Sequence, residues 1–492
     1  MGTSPYARTD RHSTRAAGSL VSVTTRLAVA VAAVALVAGG LPLAASLLAG
    51  GPAAAAPSGA LSERAAVTFG APKWSVPIPD GTSSIALSSP NVAELQSGPA
   101  VVVGDQAGYV YAYNLVTGTS EWTYDAGAPV TSTPSVAPTS SGSNLDTVFV
   151  GTGNAAEPTV GGYQAISPTG GDLWFTEETN PSTDPTPHSG VRASMAVGDL
   201  QGEADVVAGS MGEEEDALTA GSGGVLGGFP WYQADSDFTT PAIADLYGTG
   251  ANEIIEGGDS SPGASYGTTY SPGGHLRILA RSGNLDQSEP NGGLLCQYTT
   301  NQVVQSSPAV GEFLNALGQA TSVGIVFGTG TYYPTASNTD QLIAVSSSCA
   351  FEWSATLDGD TSSSPALADV LGNGRLQVVE GTDTGSTGFV YALDGANGST
   401  LWRTQVGRVI GSVVTADLGG GYQDVLAPTT DGVVVLDGQN GSVITTLDPN
   451  VGFQNSPLVT DDPDGEIGIT LAGYENGGSL VTHYEIAGSD GA

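Results

Sequence analysis

Seven carboxylates stand at one recurring place in this 492-residue sequence. Glu94, Asp199, Asp245, Glu312, Asp369, Asp417 and Asp461 each follow a short repeated phrase at the same offset. Gathered on one rim, they would concentrate cations. The plainer chemistry is local, because an Asp ahead of a Gly-rich turn accepts the turn's backbone N–H groups and holds it shut. After Asp245 the alternating positions carry Tyr247 and Thr249, and after Asp369 they carry Leu371 and Asn373. These are thin ligand sets for calcium, a hard cation that wants six or more oxygens. Asp461, Asp462 and Asp464 form the best calcium candidate, while the run Glu213-Glu214-Glu215-Asp216 reads as a solvated surface turn. Past residue 55 only His188, His275 and His483 remain. None lies in a setting that suits nucleophilic or acid–base catalysis, so no catalytic residue is assigned. His483, in a strand-like run from Leu480 to Ile486, reads as a packing or rim residue.

The phrase that positions the carboxylates is clearest as Ser364-Pro365-Ala366-Leu367-Ala368-Asp369, followed by Gly372-Asn373-Gly374 and the apolar pair Val378-Val379. Thr240-Pro241 and Ser307-Pro308 open close copies. Ser89-Pro90, Thr133-Pro134, Ser194-Met195, Ser412-Val413 and Ser456-Pro457 open weaker ones, which makes eight starts. Their spacing is that of four-stranded propeller blades with insertions. In the clearest unit four short β-type runs are separated by Asn373-Gly374, Asp394-Gly395 and Asn397-Gly398, dipeptides that supply the positive φ of tight hairpins. Trp122, Trp174, Trp231, Trp353 and Trp402 fall in the fourth run of their units, as wedges between blades would. Units four and seven lack the tryptophan. Unit eight ends before a fourth run, and Lys73 to Ile78 reads as the missing strand. The predicted fold is therefore all-β, an eight-bladed β-propeller of four-stranded antiparallel blades, closed by an N-terminal strand that completes the last blade.

Composition agrees: 71 Gly and 29 Pro among 492 residues, with only 12% charged, disfavour long helices. The net charge of −37, with Lys73 the sole lysine, repels nucleic acid and anionic membranes. Arg8, Arg11, Arg15 and Arg26 precede an apolar run from Leu27 to Ala49 and a small-residue stretch ending at Pro57. That order predicts a signal peptide over 1–55, or an uncleaved N-terminal anchor. Residues 56–70 then form a linker, 71–488 the propeller and 489–492 a tail. Export to an oxidising compartment predicts that Cys296 and Cys349 form one disulfide pinning neighbouring blades.

The units resemble two families of secreted bacterial β-propeller repeats. Tyr391-Ala392-Leu393-Asp394 with Gly398 and Trp402, and Tyr111-Ala112-Tyr113 with Thr117-Gly118 and Trp122, are similar to pyrroloquinoline-quinone (PQQ)-type repeats. The Pro-Ala-x-Ala-Asp-x-x-Gly-x-Gly phrases at Pro241 and Pro365 resemble integrin-type FG-GAP (VCBS-like) repeats. The resemblance is specific for fold and poor for function. It implies calcium at the repeat turns. PQQ is not expected: quinone enzymes, as a class, use a vicinal disulfide and a tryptophan platform, and this sequence has no adjacent cysteines. The expected function is that of a secreted, non-catalytic, monomeric binding protein that recognises an extracellular protein or glycan through rim loops. The long insertions Glu177 to Gly190 and Asp259 to Gly274 are the candidate loops. The alternative is an exported enzyme, either a PQQ-dependent dehydrogenase or a polysaccharide lyase or hydrolase.

Overall fold

The computed structural model describes residues 67–79, 85, 87–139, 142–153, 161–178, 190–233, 235–261, 271–286, 291–314, 318–475 and 478–487. The predicted signal or anchor lies outside them, and no helix among them is long and apolar enough to cross a membrane. Eight antiparallel sheets follow one another along the chain, each running from an innermost first strand to an outermost fourth. In unit six these are Ala366–Ala368, Gln377–Gly381, Gly388–Asp394 and Thr400–Val406. The second and third strands carry nearly all the fully buried Val, Ile and Leu, so the core is a series of apolar layers between blades. First strands touch their neighbours all the way round, including Leu458–Asp461 against Asn91–Leu95. The ring is an eight-bladed β-propeller.

Unit eight is completed from the N-terminus. Trp74–Pro77 pairs antiparallel with Gly478–Ala487, Trp74 opposite His483, and Thr68–Phe69 extends the same edge, Phe69 opposite Ile486. Pairing thus begins at Thr68, inside the stretch expected to be linker. Sealing the last sheet this way leaves no open seam in the ring. The indole of Trp74 stacks on His483 with centroids 5.2 Å apart.

The Ser or Thr that opens each phrase has a shared task. The backbone N–H at this position in each unit donates to the hydroxyl at the same position in the next. Ser89 donates to Thr133, Thr133 to Ser194, Ser194 to Thr240, and Thr240 to Ser307. Ser307 donates to Ser364, Ser364 to Ser412, Ser412 to Ser456, and Ser456 back to Ser89. All eight residues are buried. An innermost strand has no fifth strand beside it, and this belt satisfies amides that would otherwise be orphaned away from water.

Tryptophan seals the blades farther out. The indole of Trp353 donates to Gly395 O at 2.9 Å and lies over Gly398, where a Cβ would fall 2.4 Å from its ring. Gly398 also has φ +70°, so both space and backbone require glycine. Trp74 over Gly118, Trp122 over Gly170, Trp174 over Gly223 and Trp402 over Gly441 repeat the arrangement.

Both units without tryptophan have a reason. Cys296 pairs with Ile278 as Trp402 pairs with Ala392 and Trp353 with Ala344, so it occupies the tryptophan position of unit four. Its disulfide partner Cys349 sits in the turn of unit five with φ +57°, at the glycine position. The disulfide replaces the indole–glycine contact. In unit seven the position is Thr445. Unit eight has no turn between its third and fourth strands, because the fourth comes from the N-terminus, and so offers no glycine to dock against.

Candidate functional site

The two faces of the ring differ. One, the turn face, carries the turns between first and second strands and between third and fourth. The other, the loop face, carries the longer connections from second to third strands and from one unit to the next.

The seven repeated carboxylates lie around the mouth of the turn face, at or beside the ends of the innermost strands. Four clamp their own turns. Asp199 accepts Gly202 N, and Asp245 accepts the amides of Thr249 and Gly250. Asp369 accepts those of Asn373 and Gly374, and Asp417 those of Gly419, Gly420 and Gly421. The amides of Gly250 and Thr249 hold the Asp245 carboxyl below its usual range. Between units seven and eight a shallow groove of about 230 Å³ is lined by Asp417, Gln423, Val459, Asp461 and Ile467.

Asp461, Asp462 and Asp464 diverge. Asp461 is exposed on that groove, and Asp464 is exposed with the Lys73 ammonium at 3.4 Å. Asp462 is buried between Thr460 and the His483 Nε2, which lies 2.8 Å from its Oδ2. What gathers there is Asp462, His483 and Glu485, with ligand atoms within 4.8 Å of one another. The ammonium of Lys73 already lies against Glu485. The three aspartates therefore do not fit a calcium site. A quinone site does not fit either: the disulfide joins the outer strand of unit four to a turn of unit five, and the indoles of Trp74, Trp122, Trp174, Trp353 and Trp402 lie over turn glycines of the next unit. The remaining one, Trp231, donates its indole N–H to Gly292 O and is covered by Arg277.

The main correction concerns the acidic run expected to be a surface turn. Only Glu213 lies in the turn, with φ +66°. Glu214, Glu215 and Asp216 belong to the third strand of unit three, Glu214–Thr219, and are buried. Side chains alternate along a strand, so the run serves two interfaces. Toward unit two, Asp216 Oδ2 accepts the Tyr163 hydroxyl at 2.8 Å. Its carboxyl is pushed up to about 6, burial outweighing that bond. Glu178, bonded by Ser210 Oγ at 3.1 Å, is pushed up to about 9 by burial, with the charges of Asp216 and Glu214 adding.

Toward unit four, Glu215 accepts Gln233 Nε2 at 3.1 Å and lies with Asp237 and Glu256, all fully buried. Burial, then mutual repulsion, raises Glu215 and Asp237 well above the carboxylate range. Glu256 rises to about 7, held down chiefly by the Arg277 charge. Arg277 Nη1 donates to Gln233 O and Oε1 at 2.7 and 2.8 Å, and its Nε to Gln297 Oε1 at 2.8 Å. His275 shares a hydrogen bond with Ser260 Oγ at 2.9 Å, and burial pushes its imidazole well down, which keeps it neutral. These are acids raised by burial, an arginine and a neutral imidazole, locked together into a blade seam. The hydrogen bonds of Glu215, His275 and Arg277 Nη1 run between buried groups.

One signal marks part of this cluster in the sequence. Glu256 and Glu380 interrupt apolar second strands at equivalent places, in Ile254-Ile255-Glu256-Gly257-Gly258-Asp259 and Val378-Val379-Glu380-Gly381-Thr382-Asp383. The equivalent residues of units one, two and seven are Val103, Val150 and Ala427. The following aspartates differ in partner. Asp383 is held by Arg408 through two bonds of 2.8 and 2.7 Å, whereas Asp259 accepts Val304 N and Gln305 Nε2.

On the loop face above, Asp235 accepts Ser236 N and the Ser261 hydroxyl. The segment Gln302 to Gln305 runs from Asp259 to the loop that carries Tyr332 and Tyr333. Both long insertions leave from this face, but residues 179–189 and 262–270 lie outside the described residues.

Residues 286–446 match the PQQ-type repeat family described as "Outer membrane protein assembly factor BamB". Among solved structures, quinohemoprotein alcohol dehydrogenase from Comamonas testosteroni matches at 13% identity, over 86% of this chain and 77% of that one, with a TM-score of 0.60. BamB from Moraxella catarrhalis matches at 15% identity over 85% and 100%, TM-score 0.52. The computationally designed Ika8 protein matches at 14% over 84% and 99%, TM-score 0.50. Identities this low speak to the fold alone. No curated protein matches the sequence. The fold is thus an eight-bladed β-propeller, and residues 286–446, about a third of the chain, are similar to the PQQ-like repeat family.

Proposed function

We propose that the protein is a secreted, non-catalytic binding propeller whose loop face, around units three to five, recognises an extracellular protein or glycan. The observation that carries this reading is the division of labour on that face. Glu215, Asp237, Glu256 and Arg277 beneath it are buried among one another, while Tyr332 and the half-exposed Asp235 sit on loops anchored from below. Binding needs only such a fixed surface. The Cys296–Cys349 disulfide supports export, since it holds an interface where other units use tryptophan and would fail under reduction.

The test is to recover the exported protein from medium, identify what co-purifies, and repeat with residues 331–339 replaced by a Gly/Ser loop. Loss of the partner with unchanged melting supports the reading. Alcohol oxidation after loading with PQQ and calcium, or release of reducing ends from polysaccharides, would replace it with the enzymatic alternative.

A further inference from the structure

The loop Thr331 to Thr339 connects the second and third strands of unit five, and its tip presents Tyr332, which is 68% exposed. An exposed aromatic on a slack loop would be unremarked. This one is pinned. Gln302, fully buried, holds the next residue at both backbone groups: its Oε1 accepts Tyr333 N at 2.9 Å and its Nε2 donates to Tyr333 O at 2.9 Å. The same amide donates to Thr339 Oγ1 at 3.1 Å and accepts Val303 N at 3.0 Å. Asn301 adds two bonds, to Ser337 and Asn338. The Tyr332 and Tyr333 rings meet edge to face, centroids 4.9 Å apart at 87°. The main chain beside this exposed aromatic is thus fixed, and its ring rests edge to face on Tyr333.

Polar groups flank it. Val304 and Gln305, just past the pinning glutamine, donate to Asp259, and Asp235 bonds Ser261 beside it. Burial first, then the charges of Asp235, Tyr332 and Asp259, raises the Tyr333 phenol. Asp235 is half-exposed, and a carboxylate has about four acceptor sites, of which Ser236 N and Ser261 Oγ use two.

A rigid exposed aromatic face beside carboxylate and amide groups is complementary to a sugar ring. The electron-rich ring face meets the ring's C–H groups, and the carboxylate accepts its hydroxyls in charge-assisted bonds. A net charge of −37, with acids at this corner, repels uronates and sulfated sugars. We propose that the Tyr332–Tyr333 corner is a glycan-binding subsite that stacks a sugar free of acid groups on Tyr332 and hydrogen-bonds its hydroxyls through Asp235 and Asn301. This rests on the binding reading above and names the ligand class.

The test is calorimetric titration of the full exported chain with cello-, malto-, laminari- and chito-hexaose, and with polygalacturonate. At least one of the four uncharged hexaoses is expected to bind and polygalacturonate is not. Tyr332→Ala is expected to weaken binding about tenfold or more at unchanged melting temperature, and Tyr332→Trp to retain it. Asp235→Asn should weaken it by less. No binding of the four hexaoses at millimolar concentration overturns the proposal, as does binding that Tyr332→Ala leaves intact. If the hexaoses fail while a co-purifying protein is lost with the 331–339 replacement, the glycan assignment falls and the binding function stands.

Discussion

The backbone N–H of Ser456 donates to the hydroxyl of Ser89 at 3.0 Å, across 367 positions of sequence. It is the last link of a belt in which every unit bonds the next, so the ring is closed at its axis by the same contact that joins successive blades. The belt also explains why the phrase begins with Ser or Thr: the residue must offer an acceptor short enough to reach a neighbouring main chain.

Ser89→Ala should therefore destabilise as much as Ser364→Ala, although only the former breaks the link between chain ends. Each leaves a buried amide unpaired, at a cost of about 1–3 kcal/mol. Urea titration checks this, and a neutral Ser89→Ala would show that closure rests on the outer strand alone.

The outer closure has its own test. Trp74 is buried to 9% exposure against Tyr111, Tyr113 and Val481, and its indole N–H donates to Leu115 O at 2.8 Å. Trp74→Ala should cost about 3–5 kcal/mol. Lys73→Ala, which removes a partly exposed ion pair with Glu485, should cost no more than about 1 kcal/mol. Comparable losses from both would contradict a closure held by packing.

If the disulfide stands in for an indole over a glycine, the pair can be exchanged. Cys296→Ser should lose about 2–5 kcal/mol. The double variant Cys296→Trp with Cys349→Gly should recover most of that and melt independently of reductant. Failure of the double variant to fold better than the single, by thermal melt in reductant, would refute the equivalence.

The buried acids make stability depend on pH. Glu178, Glu256 and Asp216 are raised to about 9, 7 and 6, so between their unfolded values near 4 and these figures the folded chain holds protons that the unfolded chain has released. Stability from these groups is present at low pH and is lost as pH rises through each folded value. His275, lowered by burial, opposes this only below its usual 6.5. The melting temperature should therefore fall from pH 6 to pH 9, and Glu178→Gln with Glu256→Gln should flatten the fall. A rising curve would mean that ionised carboxylates are stabilised in the seam.

Much of the architecture was legible because it is repetitive. The Ser/Thr-Pro phrase, the Asn-Gly turns and a tryptophan in six of the eight units report strand, hairpin and blade. The orphan run at Lys73 to Ile78 followed from counting strands, and the pairing of Cys296 with Cys349 from their being the only two. The same repetition hid the rest. Glu214, Glu215 and Asp216 have the composition of a surface turn, and only the pairing of their strand, with Tyr163 on one side and Gln233 on the other, shows that successive side chains enter two seams. Asp461, Asp462 and Asp464 are adjacent in sequence yet face three environments, since a turn points consecutive side chains apart. Conversely, Gln302 and Tyr333 are 31 residues apart and meet because two loops leave the same face. Local preference fixes what each segment becomes. Which polar groups lose their water and find one another is decided by how the blades are packed.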